Sequence, residues 1–254
     1  MILASLIRAL LIRAFLIRAS LICPRIGWRA VCLGMLAVAA MSAPTIAQQT
    51  ANASAASTAM VTFTLDFPES NPAHYSIAVD ATGHARYECV GTIAEDSEEQ
   101  PYRVEFQASA GSREKIFDWA KRAQYFAGKI DSGNNKLAFT GTKLLSFQDG
   151  QRSNTARYNY SNLAAVQQLT ELFQRMGGTL DYGRRLSYNH RYQKLALDDE
   201  LKRMETQARN NELDEIQGVT PVLQEIFEDA SVINVVRARA KELIEMGKNA
   251  TARR

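Results

Sequence analysis

Histidine and cysteine, the residues from which many catalytic and metal sites are built, are scarce in this sequence. Three of each occur in 254 residues, and no paired C-x-x-C or H-E-x-x-H spacing is present. The G-x-S-x-G nucleophile elbow and the Gly-Lys-Ser/Thr ending of a phosphate loop are also missing. These absences count against metalloproteases, elbow-type serine hydrolases and P-loop nucleotide-binding proteins. The sequence predicts no cofactor.

The third predicted strand carries histidine and cysteine in an arrangement that favours a structural role. His84, Arg86 and Glu88 would share one strand face, and His84 and Glu88 would lie about 13 Å apart along the chain. That separation is too large for both to bind one ion, so we predict no metal site. Cys89 falls on the opposite face with Tyr87. We predict that it is a buried structural thiol rather than a nucleophile.

A hydrophobic run long enough to cross a membrane is also lacking near the N-terminus. The apolar stretch at residues 30–41, AVCLGMLAVAAM, is shorter than the roughly 20 residues of a spanning helix. It follows Arg25 and Arg29 and precedes the segment TIA at 45–47, which is the order of a secretory signal peptide. We therefore predict cleavage after Ala47 and an exported protein, periplasmic or extracellular. No stable membrane span is expected after cleavage.

Residues 5–24 precede this signal and repeat a five-residue unit, as SLIRA, LLIRA, FLIRA and SLICP. An arginine at every fifth position advances by about 140° per step around a helix, so the charges face all sides and no amphipathic stripe forms. We interpret the repeat as an over-long predicted start or as an extended basic leader. Together with the signal peptide it makes up a predicted leader at residues 1–47.

An excess of positive charge is absent once this leader is removed. Its five arginines leave with it, so the 30 basic residues fall to 25, against 27 acidic residues. The pI near 8.7 is therefore mostly a property of the leader, and we predict no nucleic-acid partner. Only Cys89 would remain of the three cysteines, which excludes an intramolecular disulfide. A hydrophobic core must then stabilise the remaining chain.

Strands are predicted after a flexible linker at residues 48–60. Farther along, a hairpin is predicted with a two-residue turn at Asp149-Gly150 and with Tyr158 and Tyr160 on the return strand. Alternation of apolar and polar residues buries one face of a sheet and leaves the other in water, as in antiparallel sheets. Three or four strands are predicted to precede this hairpin, at residues 61–67, 75–80, 85–93 and 102–108.

Two helices flank the hairpin, each with apolar residues at three- and four-residue steps. The first is predicted to begin at an N-cap, Ser112, and to end at Gly128. The second is predicted to begin at Ser161 or Asn162 and to stop at the glycine pair 177–178.

Helices alone are predicted for the C-terminal part, followed by a disordered tail at residues 248–254. Three helices are expected there, and the last of them is expected to end at Gly247. They are predicted to begin at Asp198, at Thr220-Pro221 and at Ser231.

The predicted fold is α+β. An antiparallel sheet of four to six strands, packed by two helices, forms a domain at 61–180, and an all-helical C-terminal subdomain follows at 181–247. A spacing Y-x-I-x-V-x-x-x-G-x-x-x-Y, together with the Asp-Gly hairpin, resembles exported bacterial domains of unknown function. The resemblance covers residues 61–180. It implies an antiparallel α+β domain and brings no activity or site residue with it. The spacing is carried by Tyr75, Ile77, Val79, Gly83 and Tyr87.

Residues 178–192 are rich in tyrosine and arginine without a clear period, and we predict that they form a joint between the two parts. Tyrosine and arginine are enriched at recognition surfaces. They can equally attach the sheet to the helical part through their stems and hydroxyls. With the hairpin, this joint supplies the candidate partner-binding residues Arg157, Tyr158, Tyr160, Arg184, Arg185, Tyr188, Arg191 and Tyr192.

Three functional hypotheses follow from these observations. The first is an exported, non-enzymatic binding or scaffold protein of the bacterial envelope, whose partner is an unidentified protein or envelope component. The alternative is an envelope hydrolase whose active site is assembled from residues distant in sequence, which spacing alone does not reveal. A further alternative is a helix-mediated homodimer with the sheet as its working surface.

Overall fold

The computed structural model of the chain describes residues 58–93, 100–134 and 136–252. The predicted leader at 1–47, and most of the linker at 48–60, lie outside the described residues, so signal cleavage and linker flexibility stay predictions. Within the described part, strands and helices contribute to one hydrophobic core.

A six-stranded antiparallel sheet is the centre of the fold, which confirms the predicted fold class. Its strands lie close to the predicted positions and are ordered β4-β3-β2-β1-β5-β6, so that β4 and β6 are the edges. The strands are β1 Met60–Asp66, β2 His74–Asp80, β3 His84–Gly91, β4 Gln100–Gln107, β5 Thr142–Gln148 and β6 Ser153–Tyr158.

One face of this sheet is apolar because every second residue points to the helices. Val61, Phe63 and Leu65 on β1 are buried, whereas the residues between them are half-buried. The Phe63 ring stacks on Phe173 with centroids 5.4 Å apart. Each large apolar side chain buried there contributes roughly 1.5–3 kcal/mol. The predicted alternation of one buried and one wet face is therefore confirmed.

The β5–β6 hairpin is present, but its turn lies one residue later than predicted. The Asp149 N–H donates to the Arg152 carbonyl at 3.1 Å, so the two central turn residues are Gly150 and Gln151. Gly150 has φ of +83°, a conformation that glycine adopts without steric cost. Tyr160 lies beyond the end of β6 rather than on it.

Helix α1 spans Ala110–Arg122, and its predicted boundaries were wrong at both ends. Ser109 is the N-cap, and its side chain accepts from the Ser112 N–H. Ser112 is itself buried, and its hydroxyl donates to the Glu215 carboxylate at 2.5 Å. The helix ends at Arg122 with Ala123 as its C-cap, ahead of Gly128, because residues 124–126 have positive φ.

Helix α2 spans Ala164–Tyr192 and passes through the predicted stop and the predicted joint. A Cβ at Gly177 would lie 2.9 Å from the Tyr75 ring, and one at Gly183 would lie 2.6 Å from Val219 Cγ1. These glycines therefore permit close packing instead of ending the helix. Residues 178–192 are helical, and the helix crosses the proposed domain boundary at 180/181. That division stays a prediction.

The C-terminal region is all helical, as predicted, although several helix ends differ. Asp198 lies in the first turn of α3, Thr220 is the first residue of α4, and Ser231 precedes α5. The last helix continues past Gly247 into the predicted tail. These helices are α3 Leu197–Arg209, α4 Thr220–Glu228 and α5 Asn234–Ala252, with 3₁₀ turns at Gln124–Phe126, Lys194–Ala196 and Ile216–Val219.

Helix α2 crosses the whole apolar face of the sheet. Thr170 contacts Tyr158 on β6, Phe173 contacts Phe63 on β1, and Gly177 lies against Tyr75 on β2. Gly183 lies close to the Tyr102 hydroxyl on β4. The two ends of α2 therefore lie at opposite edges of the sheet. Among the described residues, none of the helices is both long and apolar enough to cross a membrane.

Candidate functional site

The eight predicted partner-binding residues separate into three places. Arg184, Tyr188, Arg191 and Tyr192 line one cavity at the C-terminal end of α2. Arg185 points from the same helix toward α3, where it bonds to Glu200. The remaining three, Arg157, Tyr158 and Tyr160, lie at the opposite sheet edge, on or just after β6.

The α2 cavity, as we call the first of these places, has a volume of about 320 Å³. One wall is helix α2, on which residues 184, 188, 191 and 192 recur at helical spacing and share a face. The other wall is the sheet edge, where Tyr102 on β4 is half-buried. Ser187, Ile93 and Pro101 complete the lining.

The outer part of the α2 cavity presents aromatic rings and a cation to solvent. The Tyr188 and Tyr192 rings lie 5.0 Å apart, and Tyr192 is 64% exposed. The Arg191 guanidinium lies 5.9 Å from the centre of the Tyr192 ring. Arg191 is exposed, and no carboxylate within the described ranges forms an ion pair with it. This part of the cavity can therefore contact an anionic or planar group.

Arg184 lines the α2 cavity, but its guanidinium bonds to other groups of the protein and is not available to a binding partner. It is 3% exposed and bonds to Asp181 at 2.8 Å. Its guanidinium also donates to the Thr92 carbonyl and to Asn71 Oδ1, each at 3.1 Å. Arg184 thus attaches α2 to two loops of the sheet, which is the structural role considered for the joint residues.

Arg185 also has a structural environment. Its guanidinium bonds to Asp181 at 2.9 Å and to Glu200 at 2.8 Å, and lies 4.5 Å from the centre of the Tyr182 ring. It links helix α2 to α3. Its two partners, Asp181 and Glu200, do not line the α2 cavity.

At the other sheet edge, Tyr158 is buried and its hydroxyl is 2.6 Å from Thr170 Oγ1. Burial raises the pKa of Tyr158. Tyr160 is 43% exposed, and its hydroxyl accepts from Gln167 Nε2 at 2.7 Å. Arg157 is exposed and lies 3.4 Å from Thr142 Oγ1. Tyr158 and Tyr160 line a second cavity, which contains Lys143.

Cys89 lies among tyrosines on the apolar face of the sheet, which confirms the prediction that its thiol is buried. Cys89 is 3% exposed beside the fully buried Tyr87, and the Tyr87 and Tyr102 rings lie 6.2 Å apart. Burial raises the pKa of the Cys89 thiol, which disfavours the reactive thiolate at neutral pH. Cys89 is therefore a buried structural thiol.

The opposite, solvent-facing side of the sheet carries ion pairs. His84, Arg86 and Glu88 share this face as predicted, with His84 paired to Glu105 at 3.5 Å. Arg103 bonds to Glu88 at 2.7 Å. Within the described ranges, histidine, cysteine and carboxylate side chains form no group of three that could hold a metal ion.

A depression of about 440 Å³ on that face is lined by His74, Ser76 and Glu88, among others. These are residue types of a hydrolase, but Glu88 is already bonded to Arg103 and Arg86. In the part of the chain that the structure describes, no hydrogen bond joins His74 to Ser76 or to Glu88. The grouping lacks the base-to-nucleophile contact that acyl transfer uses.

A polar network that sequence spacing did not reveal joins the end of α2 to the α4–α5 connection. Asp229 Oδ2 is 2.9 Å from His190 Nε2 and 2.6 Å from Lys194 Nζ, and Asp229 Oδ1 accepts from the Ser231 hydroxyl. Hydrogen bonds from Lys194, Ser231 and His190 lower the pKa of Asp229. Because the serine donates to the aspartate and not to the imidazole, the order differs from that of a catalytic triad.

No protein-family model matches the chain, and no curated protein matches its sequence. The functional argument therefore depends on the side chains and cavities themselves.

Proposed function

We propose that this protein is an exported, non-enzymatic binding protein of the bacterial envelope, which binds a protein or an envelope component with its α2 cavity. The observation that supports this most is the convergence of Tyr102, Tyr188, Arg191 and Tyr192 on one cavity. Large aromatic side chains and arginine contribute a disproportionate share of binding energy at recognition surfaces.

The charge of the α2 cavity points to the kind of partner. Arg191 is its solvent-exposed cation, whereas Arg184 is neutralised by Asp181. A partner group with a negative charge would pair with Arg191, and its flat portion would lie on the Tyr188 and Tyr192 rings. We therefore propose an acidic protein segment or an anionic envelope component as the partner.

The experiment is a quantitative pull-down from envelope extract with a tagged chain that begins at Gln48. We expect a partner that is retained by the wild type and lost with Arg191→Ala combined with Tyr192→Ala. Arg157→Ala, at the opposite edge of the sheet, is the matched control and should retain it. Equal retention by all three proteins would contradict a role for the α2 cavity.

The absence of enzymatic activity is tested separately. The purified chain is incubated with cell-wall, peptide and ester substrates, and we expect no turnover. Turnover that one point substitution abolishes would contradict the proposal and support the hydrolase alternative.

Export is the remaining part of the proposal, and it is supported by the signal-like order of residues 25–47. Cells expressing the full chain with a C-terminal tag are fractionated, and the protein is sequenced from its N-terminus. We expect it outside the cytosol, beginning at Gln48. A cytosolic protein that keeps Met1 would contradict export.

A further inference from the structure

A second cavity lies at the opposite edge of the sheet from the α2 cavity. This Lys143 cavity has a volume of about 320 Å³ and lies between the β5–β6 edge and the first turns of α2. Its lining includes Lys143, Tyr158, Tyr160, Gln167 and Thr170. Such a volume falls at the lower end of the range for small-molecule sites.

Lys143 is a cation on the apolar side of the sheet. It precedes Leu144 and the buried Leu145 on β5, and it is only 4% exposed. Its Nζ donates to Thr140 Oγ1 at 2.8 Å, to the Asn159 carbonyl at 3.0 Å and to the Thr140 carbonyl at 3.2 Å. All three of these acceptors are neutral oxygens.

The charge of Lys143 is not balanced by its neighbours. Of the carboxylates that the structure describes, none forms an ion pair with Lys143. Glu171 also lines the cavity, but it is 3.0 Å from Arg175. Asp131 accepts from the backbone N–H groups of Gly133 and Asn159.

Hydrogen bonding to the loop does not by itself explain a charged residue at this position. A glutamine amide could donate to the same oxygens without the several kcal/mol that burying an unpaired ion costs. Desolvation lowers the pKa of Lys143, which is the expected effect of such burial. A buried cation without a counterion that lines a cavity is a candidate for a functional site.

Among the other polar groups of the cavity, the Tyr160 hydroxyl has a donor available. Thr170 donates to the Val166 carbonyl at 2.6 Å, so the Tyr158 hydroxyl donates to Thr170. The Tyr160 hydroxyl accepts from Gln167, and across the described residues its own hydrogen has no acceptor. An anion in the cavity could therefore accept from Tyr160.

Two exposed apolar residues lie close in sequence to residues that line the cavity. Phe139 is 59% exposed and precedes Thr140, which lines the cavity; Leu163 is 43% exposed and follows two residues after Ser161, which also lines it. These side chains offer a surface to a ligand portion that prefers not to contact water.

We infer that the Lys143 cavity binds a small carboxylate with an apolar tail. One carboxylate oxygen accepts from Lys143 Nζ in place of the Thr140 hydroxyl, and the other accepts from the Tyr160 hydroxyl. The tail extends along the tyrosine rings toward Phe139 and Leu163. The ligand thus supplies the negative charge that the protein does not place beside Lys143.

The test compares octanoate with octan-1-ol, which has the same tail and no charge, by titration calorimetry on the chain that begins at Gln48. We expect octanoate to bind at least about tenfold more tightly, since a hydrogen bond to a charged group contributes about 1.5–3 kcal/mol. Equal affinities, or no octanoate binding, would overturn the inference. This comparison uses the wild type alone and does not depend on how any variant folds.

Substitutions then locate the binding. Lys143→Gln should weaken octanoate binding by about tenfold and leave octan-1-ol binding unchanged. Lys136→Gln, which removes an exposed lysine nearby in sequence, is the matched control and should bind octanoate as the wild type does. Equal losses from both substitutions would show attraction by net charge alone and would contradict a site at Lys143.

Two further variants separate this inference from the proposed partner site. Tyr160→Phe should weaken octanoate binding by a few-fold, because it removes one neutral donor. Arg191→Ala should leave octanoate binding unchanged, since it lies at the other end of α2. Loss of octanoate binding in Arg191→Ala would place the carboxylate in the α2 cavity and overturn the inference.

Discussion

The two ends of helix α2 each combine a cation with tyrosines, but they treat the cation in opposite ways. At the N-terminal end, Lys143 is buried and bonded to neutral oxygens. At the C-terminal end, Arg191 is exposed beside Tyr192. A buried cation can recognise one small charged group at close range, whereas an exposed cation beside aromatic rings suits a larger surface. The comparison favours two different ligands for the two cavities.

A second contrast exists within the C-terminal end itself. Arg184 and Arg191 lie on the same helix face, two turns apart, yet only Arg184 is buried and paired. The first arginine belongs to the structure of the cavity, and the second is free to act in binding. From the sequence alone, both arginines were predicted to bind a partner.

Substituting these two arginines should produce the largest difference. Arg184→Ala leaves the Asp181 carboxylate with fewer partners and removes the bonds to Thr92 and Asn71, so we expect a loss of about 3 kcal/mol in the free energy of unfolding. Arg191→Ala should change it by less than about 0.5 kcal/mol. Urea unfolding followed by circular dichroism measures both. Similar losses would show that Arg191 is structural and weaken its assignment to binding.

Helix α2 packs closely against its neighbours at Gly183, and a substitution there tests how much this close packing matters for stability. Gly183→Val would place side-chain atoms against Val219 and Tyr102, where a Cβ alone would lie 2.6 Å from Val219 Cγ1. We expect a loss of about 2 kcal/mol from overpacking, measured by urea unfolding.

Gly178→Ala is the matched control for that substitution. Its Cβ would lie 3.6 Å from Leu213 Cδ2, an ordinary contact. Alanine is a better helix former, so we expect a gain of about 0.5–1 kcal/mol. A loss of stability in Gly178→Ala would indicate that α2 does not tolerate any side chain along this stretch.

The smallest expected effect concerns the network at Asp229, which includes His190 and Lys194, with Glu225 near the histidine. The folded-state pKa of Asp229 is lowered by its hydrogen bonds. Its contribution to stability is therefore present above the ordinary aspartate pKa of about 4 and is lost as the pH falls through the lower folded value. Asp229→Asn should be less stable than the wild type at pH 6, and the difference should shrink toward pH 2. A difference that does not vary with pH would exclude this charge effect.

The sequence predicted the strands well because their alternation is a local property. It failed at α2, because a pair of glycines usually ends a helix and nothing nearby in sequence indicates that Tyr75 packs against Gly177. The candidate surface could be predicted in part from the sequence. Once α2 is extended to residue 192, the spacing of Tyr188, Arg191 and Tyr192 shows that they share a helix face. The sites at Lys143 and Asp229 could not be predicted from the sequence, because a cavity and a polar network depend on contacts between residues that are distant in sequence.

Glu215 has a consequence for the order in which the chain folds. Its carboxylate accepts from the Ser109 N–H and the Ser109 hydroxyl, each at 2.7 Å, across 106 positions of sequence. The first turn of α1 therefore obtains this acceptor only after nearly the whole chain has been made. Contacts of such sequence separation slow folding. Were the chain exported before it folds, as proposed above, this delay would be an advantage, because its N-terminal part would stay incomplete until Glu215 had crossed the membrane.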